Sequence, residues 1–214
     1  MIALFHWIVK ITGWLPQKLI FRTKVYYEDK SVQSRRIKGK AILASNHTSL
    51  LDYAVIMFLF PLRTFRCLAA EVLYTKGILM RLLLGALGMI RVDRDTNDFS
   101  FIDRSRRILD KNGVIEIYPE ARLPLPNETR PLPFKPSAVY LALETDTPII
   151  PVYSTGKLFS MERNRVIIGK PLYLRDFLDE QQSHAENIQE LTQLLRGKII
   201  ELEQQLTEKA QKNE

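Results

Sequence analysis

An α/β fold, with a largely parallel or mixed central sheet flanked by helices, is what the sequence predicts, and three observations predict it. From Ala41 to Tyr153, short apolar runs alternate with helical patterns about ten residues long, and strands separated by such helices need crossovers that leave them side by side and mostly parallel. Stop signals such as Asn112-Gly113 close a helical pattern just before an apolar run begins. The stretch from Met1 to Phe21 follows a different rule, being strongly apolar yet repeatedly interrupted. It predicts a pair of amphipathic helices lying in a membrane interface ahead of the sheet.

Each element follows in order. Met1 to Phe21 is broken by His6, Lys10, Gly13, Pro16 and Lys18, so no run of roughly 18 uncharged apolar residues is left to span a bilayer. Its apolar part precedes the basic residues and no small-residue cleavage site follows, which argues against a secretory signal. Two short helices meeting near Gly13 to Pro16 fit better, with Trp7 and Trp14 at headgroup depth and the basic residues facing anionic lipid. The competing reading is a helix pair packed on the protein's own core. Lys24 to Tyr27 reads as an edge strand, and Ser31 to Gly39 as a polar, basic link. Ala41 to Ala44 reads as a buried strand that leaves its sheet at Asn46. A helix then begins at Ser49, where Ser49 and Asp52 have capping-box form and Leu50, Leu51, Ala54, Val55 and Phe58 supply an apolar face.

Further along, Thr64 to Ala69 is a strand, Leu73 to Leu84 a helix, Met89 to Val92 a strand, Asp98 to Lys111 a helix and Val114 to Tyr118 a strand. The proline-rich stretch from Pro119 to Pro136 is long for a loop in a compact domain, which points to a functional role. Ser137 to Glu144 is helical. Thr147 to Tyr153 is a strand that Pro148 and Pro151 place at an edge or at a strand start, and Arg165 to Gly169 adds another. Ser183 to Lys209 carries Ile188, Leu191, Leu195, Ile199, Leu202 and Leu206 on one stripe, a helix packed on the core. The chain thus divides into a membrane-binding segment (1–24), an α/β core (25–182) and a C-terminal helix (183–214).

Composition limits the function. At 214 residues, 46% hydrophobic and 26% charged, the chain fits one domain with one sizeable core. A net charge of +7 suggests an anionic partner without saying which. The position of the charges says more: before Glu28, the first acidic residue, Lys10, Lys18, Arg22 and Lys24 stand among tryptophans, phenylalanines and aliphatics. Basic residues so placed suit a membrane surface better than nucleic acid, for which no motif is present. Cys67 is the only cysteine, so no disulfide framework exists, and its apolar strand context reads as a buried, inert thiol. Three histidines and one cysteine show no ligand-type spacing, and no metal is expected.

The chemistry gathers at strand ends, where open α/β sheets bind their ligands. His47 falls on the strand-to-helix turn, with Asp52 one helical turn away and able to reach its imidazole. Such a dyad holds the ring in one tautomer, stabilises its protonated form and can deprotonate a hydroxyl. The spacing alone is also met by an ordinary loop histidine near a helix-capping aspartate. Two more charged clusters end strands: Asp93-Arg94-Asp95 and Pro119-Glu120-Ala121-Arg122. Each brings an arginine, whose fork matches phosphate oxygens. The combination is a base beside an anion clamp.

From about Lys38 to Tyr153 the chain resembles the glycerolipid acyltransferase superfamily, in particular the bacterial 1-acylglycerol-3-phosphate acyltransferases. Four blocks carry the resemblance in the family's order. They are Asn46-His47-Thr48-Ser49-Leu50-Leu51-Asp52, Gly88-Met89-Ile90-Arg91-Val92-Asp93-Arg94, Tyr118-Pro119-Glu120-Ala121-Arg122 with Pro133-Phe134-Lys135 downstream, and Pro148-Ile149-Ile150-Pro151-Val152. The second block has Arg91 where the family usually has an aromatic residue. The third departs from the common Phe-Pro-Glu-Gly-Thr-Arg-Ser: Ala121 replaces the glycine, and Arg122 stands two places after Glu120 rather than three. The resemblance implies transfer of a fatty acyl group from acyl-CoA or acyl carrier protein to the free hydroxyl of 1-acylglycerol 3-phosphate, giving phosphatidic acid without a cofactor. It implies His47 and Asp52 as catalytic residues, and Gly88, Arg94, Glu120, Arg122 and Lys135 as substrate-binding residues. It also implies a peripheral or monotopic location on the cytoplasmic face of a membrane. The altered third block keeps a different acceptor open, glycerol 3-phosphate or another lysolipid. A non-catalytic lipid-binding protein of the same fold is a further alternative, which an intact His47 and Asp52 disfavour.

Overall fold

A computed structural model describes residues 1–93, 99–125 and 127–212. In chain order the elements are α1 (Ile2–Thr12), α2 (Trp14–Ile20), β1 (Lys24–Tyr27), β2 (Ala41–Ser45), α3 (Asp52–Leu59), β3 (Arg66–Ala70), α4 (Glu71–Tyr74), α5 (Ile78–Ala86) and β4 (Ile90–Val92). They continue with α6 (Ser100–Leu109), β5 (Val114–Ile117), α7 (Ser137–Thr145), β6 (Ile149–Ser154), β7 (Arg165–Ile168) and α8 (His184–Gln211), with a 3-10 turn at Leu174–Phe177.

The strands form one seven-stranded sheet in the order β1-β7-β6-β2-β5-β3-β4. β6, β2, β5, β3 and β4 are mutually parallel, β7 pairs antiparallel with β6, and β1 runs parallel to β7. The sheet is therefore mixed. β2 and β5 are buried along their whole lengths, as strands covered on both faces must be. Alternate residues feed opposite cores. On one side Ile42, Ile115 and Ile117 meet Leu109 of α6, Leu141 of α7, and Leu191, Leu195 and Ile199 of α8. On the other, Leu43, Val114 and Ile150 meet Val55, Ile56 and Leu59 of α3 with Phe60 and Phe65.

Three local expectations change. The helix expected over Leu73 to Leu84 is two helices, because Gly77 at φ +110° cannot continue a right-handed turn. The helix after His47 begins at Asp52 rather than Ser49, since residues 49–52 form a tight turn in which Asp52 N donates to Ser49 O at 3.1 Å. The strand with two prolines lies inside the sheet, between β2 and β7. Pro151 is tolerated there because its carbonyl accepts from Gly169 N at 2.8 Å. Its missing N–H faces the same side, where β7 has already ended at Ile168.

α1 turns His6 and Lys10 inward, while Thr12 of α1 and Lys18 of α2 stay exposed. His6 and Lys10 are buried, and His6 Nε2 lies 3.0 Å from Leu87 O. Lys10 was expected to face lipid. Its ammonium instead donates to Phe60 O at 3.1 Å, Pro61 O at 3.3 Å and Arg63 O at 2.5 Å. These carbonyls belong to the turn that closes α3, where the helix runs out of intrahelical donors and favours a cation. Burial pulls the Lys10 ammonium down to about 8. Gly13 lets the pair approach α3, since a Cβ there would fall 2.6 Å from the Phe58 ring. The opposite faces expose Leu4, Ile8 and Ile11 on α1 and Trp14, Leu15 and Leu19 on α2. No described helix is long and apolar enough to cross a membrane.

Candidate active site

β2 ends at Ser45, and the chain must turn away before α3 can pack back on the sheet. Asn46 makes the turn by using its side chain as a further strand residue: its Nδ2 donates to Ser154 O at 2.9 Å and its Oδ1 accepts from Ser154 N at 2.8 Å. His47 is thereby held over the carboxyl ends of β2, β5 and β6. Its Nδ1 lies 2.9 Å from Asp52 Oδ2. The Asp52 carboxylate also accepts from Thr48 N at 2.6 Å, Ser49 N at 2.8 Å and Thr48 Oγ1 at 2.8 Å. A carboxylate fixed by three other donors cannot follow the imidazole, so the imidazole is oriented by it. With Nδ1 donating to Asp52, Nε2 carries the lone pair that can take a proton. The His47 side chain keeps 17% exposure against 5% for Asp52, so the ring has access to solvent while its partner does not. A close approach completes the turn: Gly156, at φ +64°, lies against Thr48, and a Cβ there would fall 2.3 Å from Thr48 Oγ1.

The structure brings Glu120 to the dyad as a brace. Its Oε1 accepts from His47 N at 2.8 Å and its Oε2 from Leu132 N at 2.9 Å, so both oxygens of this buried carboxylate are used by backbone amides. It ties the dyad turn to the proline-rich loop. That loop is held in turn by α8, where Arg196 donates to Pro131 O at 2.7 Å and Leu132 O at 3.2 Å. Lys135 is fastened by its backbone, with N donating to Pro119 O at 2.8 Å, and its side chain is exposed.

Arg122 is half-exposed and grips Glu128 with both guanidinium nitrogens at 2.6 and 2.5 Å. The pairing pulls the Glu128 carboxyl down to about 2 and raises the Arg122 guanidinium. The arginine fork is filled by a carboxylate of its own loop. Ala121, just before it, adopts φ +59°, the conformation that a glycine would take without strain. Gly88 is not brought to the dyad. It precedes β4 at the amino ends of the parallel strands, where its φ of +68° makes room for Ile2 of α1. Arg94 lies outside the described residues. Its neighbour Asp93 pairs with Arg91 at 3.5 Å.

Two residues beneath the dyad were not among the site residues the sequence marked. Tyr118 stacks on the His47 ring with centroids 4.3 Å apart and planes 20° from parallel. Its hydroxyl donates to Glu116, a fully buried residue of β5 flanked by Leu43 of β2 and Cys67 of β3. Burial pushes the Glu116 carboxyl well up, reinforced by the charge of Asp52. Burial likewise raises the Cys67 thiol, leaving it without nucleophilic character. The only sequence signal for Glu116 was an acidic residue inside an otherwise apolar strand.

A mixed α/β sheet with a histidine–carboxylate dyad at its parallel carboxyl edge defines a class of site suited to removing a proton from a hydroxyl. The Acyltransferase family profile matches residues 22–155, and the chain belongs to that family. It is 27% identical over 154 residues to human 1-acyl-sn-glycerol-3-phosphate acyltransferase beta, covering 71% of this chain and 54% of that protein. It is 33% identical over 126 residues to the 1-acyl-sn-glycerol-3-phosphate acyltransferase of Limnanthes alba, covering 58% and 43%. The chain thus spans about half the length of the curated relatives it matches. The crystal structure of the 1-acyl-sn-glycerophosphate (LPA) acyltransferase from Thermotoga maritima shares the fold, with a TM-score of 0.60 at 19% identity over 86% of this chain and 73% of that one.

Proposed function

We propose that this protein transfers a fatty acyl group from a thioester donor, acyl-CoA or acyl carrier protein, to the free hydroxyl of 1-acylglycerol 3-phosphate. The observation that carries the reading is the His47–Asp52 contact of 2.9 Å on a turn held rigid by Glu120 and Asn46. His47 Nε2 takes the hydroxyl proton as the oxygen attacks the thioester carbonyl, and Asp52 stabilises the imidazolium that forms. Collapse of the tetrahedral intermediate breaks the carbon–sulfur bond, and the leaving thiolate takes from His47 the proton that came from the hydroxyl. A backbone N–H aimed at the carbonyl oxygen would stabilise the intermediate. Arg122, Arg94 and Lys135 supply the positive charge for the acceptor phosphate, Arg122 by exchanging Glu128 for phosphate oxygens. No cofactor is needed, because the thioester is already activated.

The substrates of such a reaction sit in a bilayer, and the outward apolar faces of α1 and α2 support a membrane-docking role for residues 1–24. α5, whose following turn touches Ile2, exposes Ile78, Leu79 and Leu82 as well. The core (25–182) and the C-terminal segment (183–214) would then stand on the cytoplasmic surface as a peripheral or monotopic enzyme. Because Ala121 and Arg122 depart from the common third block, glycerol 3-phosphate or another lysolipid is the second acceptor to try.

The test is an assay of the purified protein with vesicles carrying 1-acylglycerol 3-phosphate or other lysolipids, with both donor types. Phosphatidic acid should form. His47→Ala should lower turnover about 10²–10⁴-fold, the usual cost of losing a general base. Near-normal turnover by His47→Ala would overturn the dyad reading.

A further inference from the structure

A fully buried carboxyl inside a central strand is costly unless it does something. Glu116 has no exposed surface; its Oε1 accepts from Tyr118 and its Oε2 has no hydrogen-bond partner. Tyr118 directly follows β5 and stands two residues from Glu116, the spacing that puts side chains on the same face of an extended chain. Tyr118 is pinned by its hydroxyl below while its ring lies flat against His47 above. We propose that Glu116, acting through Tyr118, is a positioning residue that sets the tilt of the His47 ring. This rests on His47 being the base.

The geometry gives the reason. The Nδ1 bond to Asp52 fixes where one edge of the imidazole lies, but a ring held by a single hydrogen bond can still swing about that bond. A second, flat contact is needed to aim Nε2. The Tyr118 ring supplies it, and an unpinned tyrosine could rotate about its own side-chain bonds. Glu116 removes that freedom. Aiming matters because displacing a reacting group by about 1 Å can cost a hundredfold in rate. Among the described residues, the groups facing His47 from the packed elements are Asp52 of α3, Glu120 of the loop after β5, and Tyr118 with Glu116 behind it. Glu116 is the one that reaches His47 only through an aromatic ring.

Histidine-selective NMR of the full-length protein reads the stack without reference to activity, because the face of Tyr118 shields the ring protons of His47 and moves them upfield. Glu116→Gln keeps an acceptor for the tyrosine hydroxyl, so it should retain the upfield position and turnover within about threefold of the parent. Glu116→Leu and Tyr118→Phe break the same bond from opposite ends. Each should relax the His47 signals toward ordinary positions and lower kcat about tenfold or more with both KM values little changed, and the double variant should be no worse than either single one. If Glu116→Leu does not fold, Tyr118→Phe carries the test alone. Retention of the upfield signals in Tyr118→Phe, or loss of turnover equally severe in Glu116→Gln, would overturn the proposal. Failure of the base assignment shows elsewhere, as an active His47→Ala protein.

Discussion

Ala121 illustrates how one side chain registers the demand of a site. The turn that carries Glu120 to His47 requires a left-handed residue, and Ala121 takes that conformation at φ +59° although its methyl group is exposed and gains little by packing. A non-glycine residue there costs about 1 kcal/mol. Ala121→Gly should stabilise the protein by about 0.5–1 kcal/mol, less what the freer unfolded chain takes back, and thermal unfolding should show a rise of a few degrees. A lower melting temperature would mean that the methyl group makes a contact worth more than the strain. The sequence shows that the family's glycine is missing; it does not show that the backbone keeps the glycine's conformation regardless. Arg122 was equally half-legible. Its presence at a strand end marked a clamp, while its partner Glu128 lies in a loop whose path no local pattern determines.

At the scale of elements, what could be read ahead was whatever depends on near neighbours in the chain. The alternation of strands and helices, the stop at Asn112 and the amphipathic stripe of α8 all follow from periodicity within a few turns. Sheet order did not, because the pairing of β6 between β2 and β7 joins residues far apart in sequence; the prolines pointed to an edge or a strand start, and only Pro148, just before β6, meets the second. The first two helices show the same limit. Their apolar and basic residues were visible, but which face turns inward depends on the carbonyls of the turn that closes α3, which call for Lys10. The outward face is therefore apolar, and this bears on a measurable property. Leu4→Ser with Ile11→Ser removes side chains that are 66% and 72% exposed, so the melting temperature should hold while co-sedimentation with anionic vesicles falls, each lost insertion being worth about 1.5–3 kcal/mol. The parent protein should remain bound at high salt, where charge attraction is screened within about 3 Å at 1 M. Vesicle binding unaffected by the pair of serines would rule out insertion through this face.

Across the whole molecule, the dyad depends on a relay of braces that runs from the last helix to the second strand. Arg196 of α8 holds the carbonyls of Pro131 and Leu132, the Leu132 amide holds Glu120, and Glu120 holds the amide of His47. Arg196→Ala should leave α8 docked through Leu191, Leu195 and Ile199 while removing charged hydrogen bonds worth about 1.5–3 kcal/mol each at most. Faster hydrogen exchange at the Leu132 amide and a several-fold loss of kcat are the expected outcomes, with Arg196→Lys recovering part of both. Unchanged exchange at Leu132 would show that the loop stands without its brace.

The order in which these parts leave the ribosome gives the relay a further meaning. His47, Asp52 and Glu120 are all synthesised well before Arg196, and domains settle as their chain emerges. Until α8 has been made, the loop that carries Leu132 has no Arg196 to hold it. The fully braced dyad is thus acquired late, once a helix remote from it in sequence has docked on the sheet.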